Sequence, residues 1–315
     1  MDRNAYVWSK VDTKSVVWAK GEKGQGISYT WKPTMVELNL KRAATVCRWS
    51  PNGKTFAVGG GEGVVQVCYY DETGNWWVPA CIEGFRSAIL SISYHPSGHL
   101  LGISSADSKV RVSSCFMEEA EGDEAEQHGG PYAPVAFGET YEDFKDGRSW
   151  AHGVQFSEDG ASLGWVTHDA SVCVASLGAG EGKSPVAAMR HRGLPFTTLQ
   201  FVGSDVLVCA GFGAAPQLYK FRSGGTWEEV GCVDGGKVLK KKKSTKGGAF
   251  AASRKMFAAA VDLGVKVDGA AAGGGGGDGS EGANLRHESA IVELRRVPGG
   301  VSSAGADGRV VLWKL

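Results

Sequence analysis

The sequence predicts an all-β fold, a β-propeller of five full blades plus a partial one, with a helix-bearing insertion. Three observations carry this. A unit of three short apolar runs is divided by turn residues. The unit recurs at a base interval of about 45 residues, the period of four-stranded propeller blades. Single strand-like runs lie between the units, in the place of a fourth strand.

The unit is clearest at 44–70, where the apolar runs 45–49, 55–58 and 64–70 are separated by Ser-Pro-Asn-Gly and by a stretch containing Gly59, Gly60 and Gly61. Pro, Asn and Gly supply fixed or positive φ and break strands, so the unit reads as a three-stranded meander. Before it, residues 2–8 look like the third strand of a unit lacking its first two. Residues 9–32 read as a connector, and 31–40 as a strand. Further units follow at 89–114, 150–177, 195–221 and 290–315, with 77–82, 186–189 and 227–233 as fourth strands. Gly53, Gly98, Gly160, Asp205 and Gly300 mark the first turns, and their unequal spacing leaves insertions of 17 and 50 residues. Period, strand count and turn chemistry agree, and together they form the WD40 signature.

The 315 residues are 42% hydrophobic, enough to pack one propeller domain spanning 1–315. Formal charge is balanced at 34 basic and 34 acidic residues, so no nucleic-acid or membrane partner is expected. There is no apolar run long enough for a spanning helix and no basic-then-apolar start, which fits the cytoplasm. Seven cysteines without a C-x-x-C read as buried reduced thiols rather than a zinc site.

The first insertion, 116–149, opens as an acidic loop. The second, 234–284, holds four lysines at 240–243, a helical stretch at 249–263 and a Gly/Ala-rich stretch at 270–282 expected to be disordered. Lys240–Lys243 either faces an acidic partner or forms a solvated loop. Residues 249–263 are alanine-rich, without Gly or Pro. Phe250, Phe257 and Val261 share one face there, and with Arg254 they are the candidate partner-binding residues. Burying two Phe yields roughly 3–6 kcal/mol. Association costs at least about 4 kcal/mol in lost freedom, so this helix is one contact among several or folds back on its own propeller.

Asp107, Asp169 and Asp307 occupy matching second-to-third-strand turns. Buried carboxylates need hydrogen-bond partners. Asp307 with His287, Ser302 or Ser303, and Trp313 forms the expected blade-holding network. Glu62 and Gly213 stand at the corresponding places in two other units, whose blades are expected to lack it. His95, His152 and His168 are assigned to different blades, without metal-ligand spacing. No catalytic motif, phosphate loop or dinucleotide fingerprint is present, so neither an enzyme nor a cofactor is expected.

Several phrases go beyond the generic repeat: DRNAYVW (2–8), WKPTMVELNLKRAATVCRWSPNGKTFAVGGG (31–61), VCYYDETGNWW (67–77), RSAILSISYHPSGHLL (86–101), WAHGVQFSEDGASLGWVTHDASVCVA (150–175) and DGRVVLW (307–313). The chain resembles the WD40 subunit family of the actin-related protein 2/3 (Arp2/3) complex. The resemblance implies a seven-bladed propeller without catalysis, acting as a scaffold in branched actin nucleation. The implied partners are the other complex subunits, the actin filament and nucleation-promoting factors, and the implied location is the actin cytoskeleton. It also implies that the sixth-blade insertion projects a partner-binding helix, here 249–263, with Phe257 matching its aromatic. Family members carry more than a blade before DRNAYVW, so the chain reads as N-terminally truncated, with an open or strained ring and an open edge at 310–313. The competing reading is a WD40 adaptor of another cytosolic complex.

Overall fold

The computed structural model describes residues 3–12, 29–121, 132, 135–145, 149–178, 183–222, 226–233 and 287–315. They form a β-propeller of five blades with a two-stranded hairpin beside the first. The hairpin pairs β1 (Ala5–Asp12) with β2 (Tyr29–Val36). The first blade is β3 (Ala44–Trp49), β4 (Thr55–Gly60), β5 (Val65–Asp71) and β6 (Trp76–Ile82). The second is β7 (Ile89–Tyr94), β8 (Leu100–Ser105), β9 (Lys109–Ser114) and β10 (Thr140–Lys145). The third is β11 (Ala151–Phe156), β12 (Ser162–Thr167), β13 (Ser171–Ser176) and β14 (Val186–Arg190). The fourth is β15 (Phe196–Phe201), β16 (Val206–Gly211), β17 (Gln217–Arg222) and β18 (Thr226–Cys232). The fifth has three strands, β19 (Ile291–Val297), β20 (Gly300–Gly305) and β21 (Val310–Lys314). Each sheet is an antiparallel meander in chain order.

The first turn of every blade is built alike. Gly53, Gly98, Gly160, Gly203 and Gly299 all have φ between 72° and 84°, a left-handed conformation that glycine adopts without a Cβ penalty. The repeat markers in the last two blades are therefore Gly203 and Gly299, not Asp205 and Gly300. The N–H of Gly53, Gly98 and Gly160 donates back to Ser50, His95 and Ser157 respectively, closing the same tight turn three times.

Two elements depart from the expectation. β10 lies inside the stretch read as the acidic insertion. Its sequence, TYEDFK, shows only Phe144 as a buried apolar residue, a weak strand signal typical of an outer strand with one face wet. A four-residue helix, α1 (Glu118–Glu121), opens the same stretch. The helix expected at 249–263, the lysines at 240–243 and the glycine-rich stretch 270–282 lie outside the described residues, as do Phe250, Arg254, Phe257 and Val261.

Packing is sheet on sheet. Ala57 and Val67 of the first blade meet Ile92, Leu101 and Ile103 of the second. Val112 and Phe144 of the second meet Phe156 and Trp165 of the third. Val166 and Val174 of the third meet Phe201 and Leu207 of the fourth. Val208 of the fourth meets Leu294, Val311 and Trp313 of the fifth. On the other side, Val36 at the end of β2 and Leu38 just after it cover Phe56 and Val58 of the first blade. No such core joins the fifth blade to the hairpin among the described residues. Val310 and Leu312 are 73% and 61% exposed, and Tyr6, Trp8, Trp31 and Met35 share the hairpin's exposed face.

At the axis the inner strands are sewn together by polar side chains. Thr45 Oγ1 donates to Ile89 O at 2.7 Å, linking β3 to β7. Phe156 N donates to Ser93 Oγ at 3.2 Å, linking β7 to β11. Phe201 N donates to Gln155 Oε1 at 3.1 Å, linking β11 to β15. Thr197 Oγ1 donates to Ile291 O at 3.1 Å, linking β15 to β19. The circuit closes through an ion pair, Arg48 Nη2 to Glu293 Oε1 at 2.9 Å, between β3 and β19.

The uncovered fifth blade makes a stability test. Ile103→Ala empties part of the core between the first two blades and should cost about 2–5 kcal/mol. Val310→Ala, at a position 73% exposed, should stay within about 0.5 kcal/mol of the parent. Urea denaturation curves check both. A loss at Val310 equal to that at Ile103 would show that the fifth blade's outer face is covered in solution.

Candidate functional site

In every blade the loop entering the inner strand and the turn between its second and third strands lie at the same end. One backbone bond shows it five times. Gly61 N donates to Ala43 O, Ala106 N to Ala88 O, His168 N to Trp150 O, Phe212 N to Pro195 O, and Ala306 N to Ala290 O. These loops form one face of the propeller. Trp150, Leu194 and Phe212 are exposed on it, and the chain leaves this face after Val233 and re-enters it at His287. The segment 234–286, with the candidate partner-binding residues, is thus tethered here.

Carboxylates pin this face. Asp107 accepts from Arg86 N and from Lys109 N, both at 3.1 Å, so one side chain ties the entry loop to the turn. Asp307 does the same with Glu288 N at 2.8 Å and Arg309 N at 3.1 Å. Glu62 takes the equivalent place in the first blade, accepting from Lys41 N at 2.9 Å and Arg42 N at 3.0 Å. The longer side chain reaches two amides of the entry loop, so the aspartate's absence does not leave that blade untied. Asp169 differs. It accepts from Thr167 Oγ1 and Ser171 N within its own turn. Its burial disfavours the charge, but these donors outweigh the burial and hold its pKa below the usual value.

The fifth blade has the fullest network. His287, fully buried, faces Asp307 through Nδ1 at 3.2 Å and Ser303 Oγ through Nε2 at 2.7 Å. Trp313 Nε1 donates to the same Ser303 Oγ at 2.7 Å. Indole can only donate, which sets the proton order: Trp313 to Ser303, Ser303 to His287 Nε2, and His287 Nδ1–H to the carboxylate. Ser303, not Ser302, is the member. A Cβ on Gly305 would lie 2.4 Å from both Asp307 Oδ1 and His287 Nδ1, so glycine is what lets the two approach. The amide of Glu288, and then those of Arg309 and the His287 ring, lower the Asp307 pKa from 3.8 to about 2 against its partial burial.

Two findings revise the reading of the histidines. His152 and His168 belong to one blade, the third, and their nitrogens meet, Nε2 to Nδ1, at 2.8 Å. His95 is buried in the second blade, with Nδ1 2.8 Å from Ser97 Oγ and its ring edge-on to Phe156. Spacing of 16 residues along the chain hid the histidine pair; the meander, which returns the end of β12 to the start of β11, would have revealed it.

The axis holds a polar channel of 580 Å³ lined by all five inner strands, including Arg48, Ser91, Gln155, Gln200 and Glu293. Burial lowers the pKa of Arg48, and Glu293 opposes the shift. Among the described residues there is no group of three or more His, Cys, Asp or Glu able to hold a metal, and no helix long and apolar enough to cross a membrane. All seven cysteines are free thiols. Cys68, Cys115, Cys173 and Cys209 are buried, whereas Cys47 and Cys81 are exposed.

Removing the shared hydroxyl tests the network. Ser303→Ala removes the buried hydroxyl that serves both Trp313 Nε1 and His287 Nε2 and should cost about 1–3 kcal/mol by denaturant titration. The Asp307 carboxylate is depressed in the folded state. Its contribution is fully present above 3.8 and is lost as pH falls through about 2. An acid-unfolding curve of Asp307→Asn should therefore lose slope in that window, and an unchanged slope would refute the assignment.

The WD domain, G-beta repeat family matches residues 78–112, running from β6 through the first three strands of the second blade. The chain is 36% identical over 236 residues to Xenopus laevis actin-related protein 2/3 complex subunit 1A-B, covering 74% of the chain and 58% of that relative. It is 32% identical over 335 residues to Schizosaccharomyces pombe actin-related protein 2/3 complex subunit 1, covering the whole chain and 80% of that relative. Arabidopsis thaliana subunit 1B matches over the whole chain at 28% identity and 77% of its own length. The chain therefore spans under two thirds of the Xenopus relative and most of the yeast and plant ones. With five blades of the WD type and this end-to-end similarity, it belongs to the actin-related protein 2/3 complex subunit 1 family.

Proposed function

We propose that the chain acts as a non-catalytic scaffold subunit of an Arp2/3 complex, in the cytoplasm and on the actin cytoskeleton, supporting nucleation of branched actin filaments. Its partners are the other complex subunits, the actin filament and nucleation-promoting factors. The observation that carries this reading is the similarity to the fission-yeast subunit over the whole chain. The chemistry is consistent with it. The buried polar side chains on the loop face are engaged with backbone amides or each other, an arrangement that fixes shape rather than turning over a substrate.

The domain reading follows. Residues 1–315 are one propeller domain with insertions at 116–149 and 234–284, and 249–263 is a partner-binding helix presenting Phe250, Arg254, Phe257 and Val261. Its support is its tether, since the segment leaves and re-enters the exposed loop face between the fourth and fifth blades.

Co-expression of the tagged chain with the other subunits of an Arp2/3 complex checks the proposal. The chain should co-purify in stoichiometric amount, and a chain that stays monomeric refutes the subunit reading. Deleting 249–263 should leave assembly intact and lower branch density in a filament-imaging assay. Unchanged branching would remove the helix from the partner surface without touching the subunit assignment.

A further inference from the structure

We propose that the loop face binds a phosphorylated serine or threonine of a partner peptide, in a cleft of 370 Å³ between the first two blades. The second-to-third-strand turn of the first blade meets the entry loop of the second there, and the charged lining is Lys41, Arg42 and Arg86 around Glu62.

The two loops are seated on each other by a close approach. Gly63 has φ of 87°, and a Cβ on it would lie 2.7 Å from Ser87 O and 2.8 Å from Phe85 O. Only glycine lets the turn sit against the neighbouring blade in this way. The three cationic residues are then fixed at the main chain. Glu62 accepts from the N–H groups of Lys41 and Arg42, and Asp107 accepts from that of Arg86. The carboxylates thus hold the backbone of all three residues and leave their side chains out of the bonds.

Charge decides what the cleft takes. Elsewhere on this face Arg309 pairs with Glu288 at 2.8 Å, Lys109 with Asp143, and Arg111 with Asp107 at 3.6 Å. Among the described residues the side chains of Lys41, Arg42 and Arg86, all exposed, have no ion-pair partner. Each oxygen of Glu62 already accepts an amide. Three cations against that one carboxylate leave a surplus of two positive charges in the cleft. A phosphate monoester carries about −1.5 to −2 at neutral pH and matches the surplus, which a single carboxylate does not. The two guanidiniums present planar forks that suit phosphate oxygens, and Lys41 adds a point charge. Arg clusters are a recurring mode of phosphopeptide recognition. A lipid surface fits less well, because it calls for many free cations across a face. Here the neighbouring cations are tied to carboxylates, and Glu83 and Glu288 are exposed beside them.

The test uses the full chain and a fluorescein-labelled pool of degenerate peptides with one central phosphoserine, compared with the same pool carrying serine. Binding is read by fluorescence anisotropy at near-physiological salt, where long-range charge effects are screened. Expected is saturable binding of the phosphoserine pool, about tenfold or more over the serine pool, displaced by free O-phosphoserine. Arg42→Gln and Arg86→Gln should each weaken it about tenfold. Arg192→Gln, at an exposed arginine in the fourth blade's entry loop, should leave it unchanged. Melting curves of the variants should match the parent, since neither Arg42 nor Arg86 uses its side chain to hold the fold. No preference for the phosphoserine pool, parent-like binding by the Arg42→Gln, Arg86→Gln double variant, or an equal loss with Arg192→Gln would overturn the proposal. So would capture of phosphoinositide vesicles by a chain that does not bind the phosphoserine pool.

Discussion

The constraint on which the structure depends is that each blade is apolar on both faces. The middle strands β4 and β8 are buried along their whole length, with no polar side in the pattern. A lone sheet of that kind has nowhere to hide either face, so each blade is stable only between neighbours. At about 25 cal/mol per Å² of apolar surface, this burial is the largest favourable contribution. The polar stitches between inner strands are smaller, about 0.5–1.5 kcal/mol each, and act by setting the offset of one blade against the next. The exposure of Val310 and Leu312 has the same origin: β21 alternates buried and exposed where β9 and β13 are buried almost throughout.

This rule explains what was legible in the sequence. Unbroken apolar runs ended by Pro-Asn-Gly or Ser-Gly state both the strand and its turn, so the inner three strands of each blade could be read directly. β10 could not, because an outer strand needs only one apolar contact, and Phe144 supplies it amid charged residues. The markers at Gly203 and Gly299 were misplaced by two residues and one residue because several turn-formers lie side by side and only φ distinguishes them.

The site residues divide on the same line. Asp107 and Asp307 could be picked out because the repeat puts them at one position. Glu62 stands at the same position, but a longer side chain there was expected to leave the blade without the network; its two oxygens instead take two adjacent amides of the entry loop. The histidine pair was not legible because its two members are separated along the chain and meet only across the sheet. In a meander, residues on either side of two strands become neighbours, and a spacing of 16 says nothing about distance.

The fifth blade combines the least covered sheet with the most complete polar network, and the magnitudes say what that network does. An uncovered Val and Leu forgo about 1.5–3 kcal/mol each. A neutral bond such as Trp313 to Ser303 returns about 0.5–1.5 kcal/mol, so hydrogen bonds do not replace the missing face. What they restore is uniqueness. Burial is non-directional and lets a half-covered sheet slide, whereas a chain in which indole must donate, the hydroxyl must relay and the carboxylate must accept closes in one geometry. The other blades, gripped on both faces, hold the same turn with a single carboxylate or none. Directional bonding is thus concentrated in the blade where non-directional packing constrains least, at the point where the 234–286 segment rejoins the propeller.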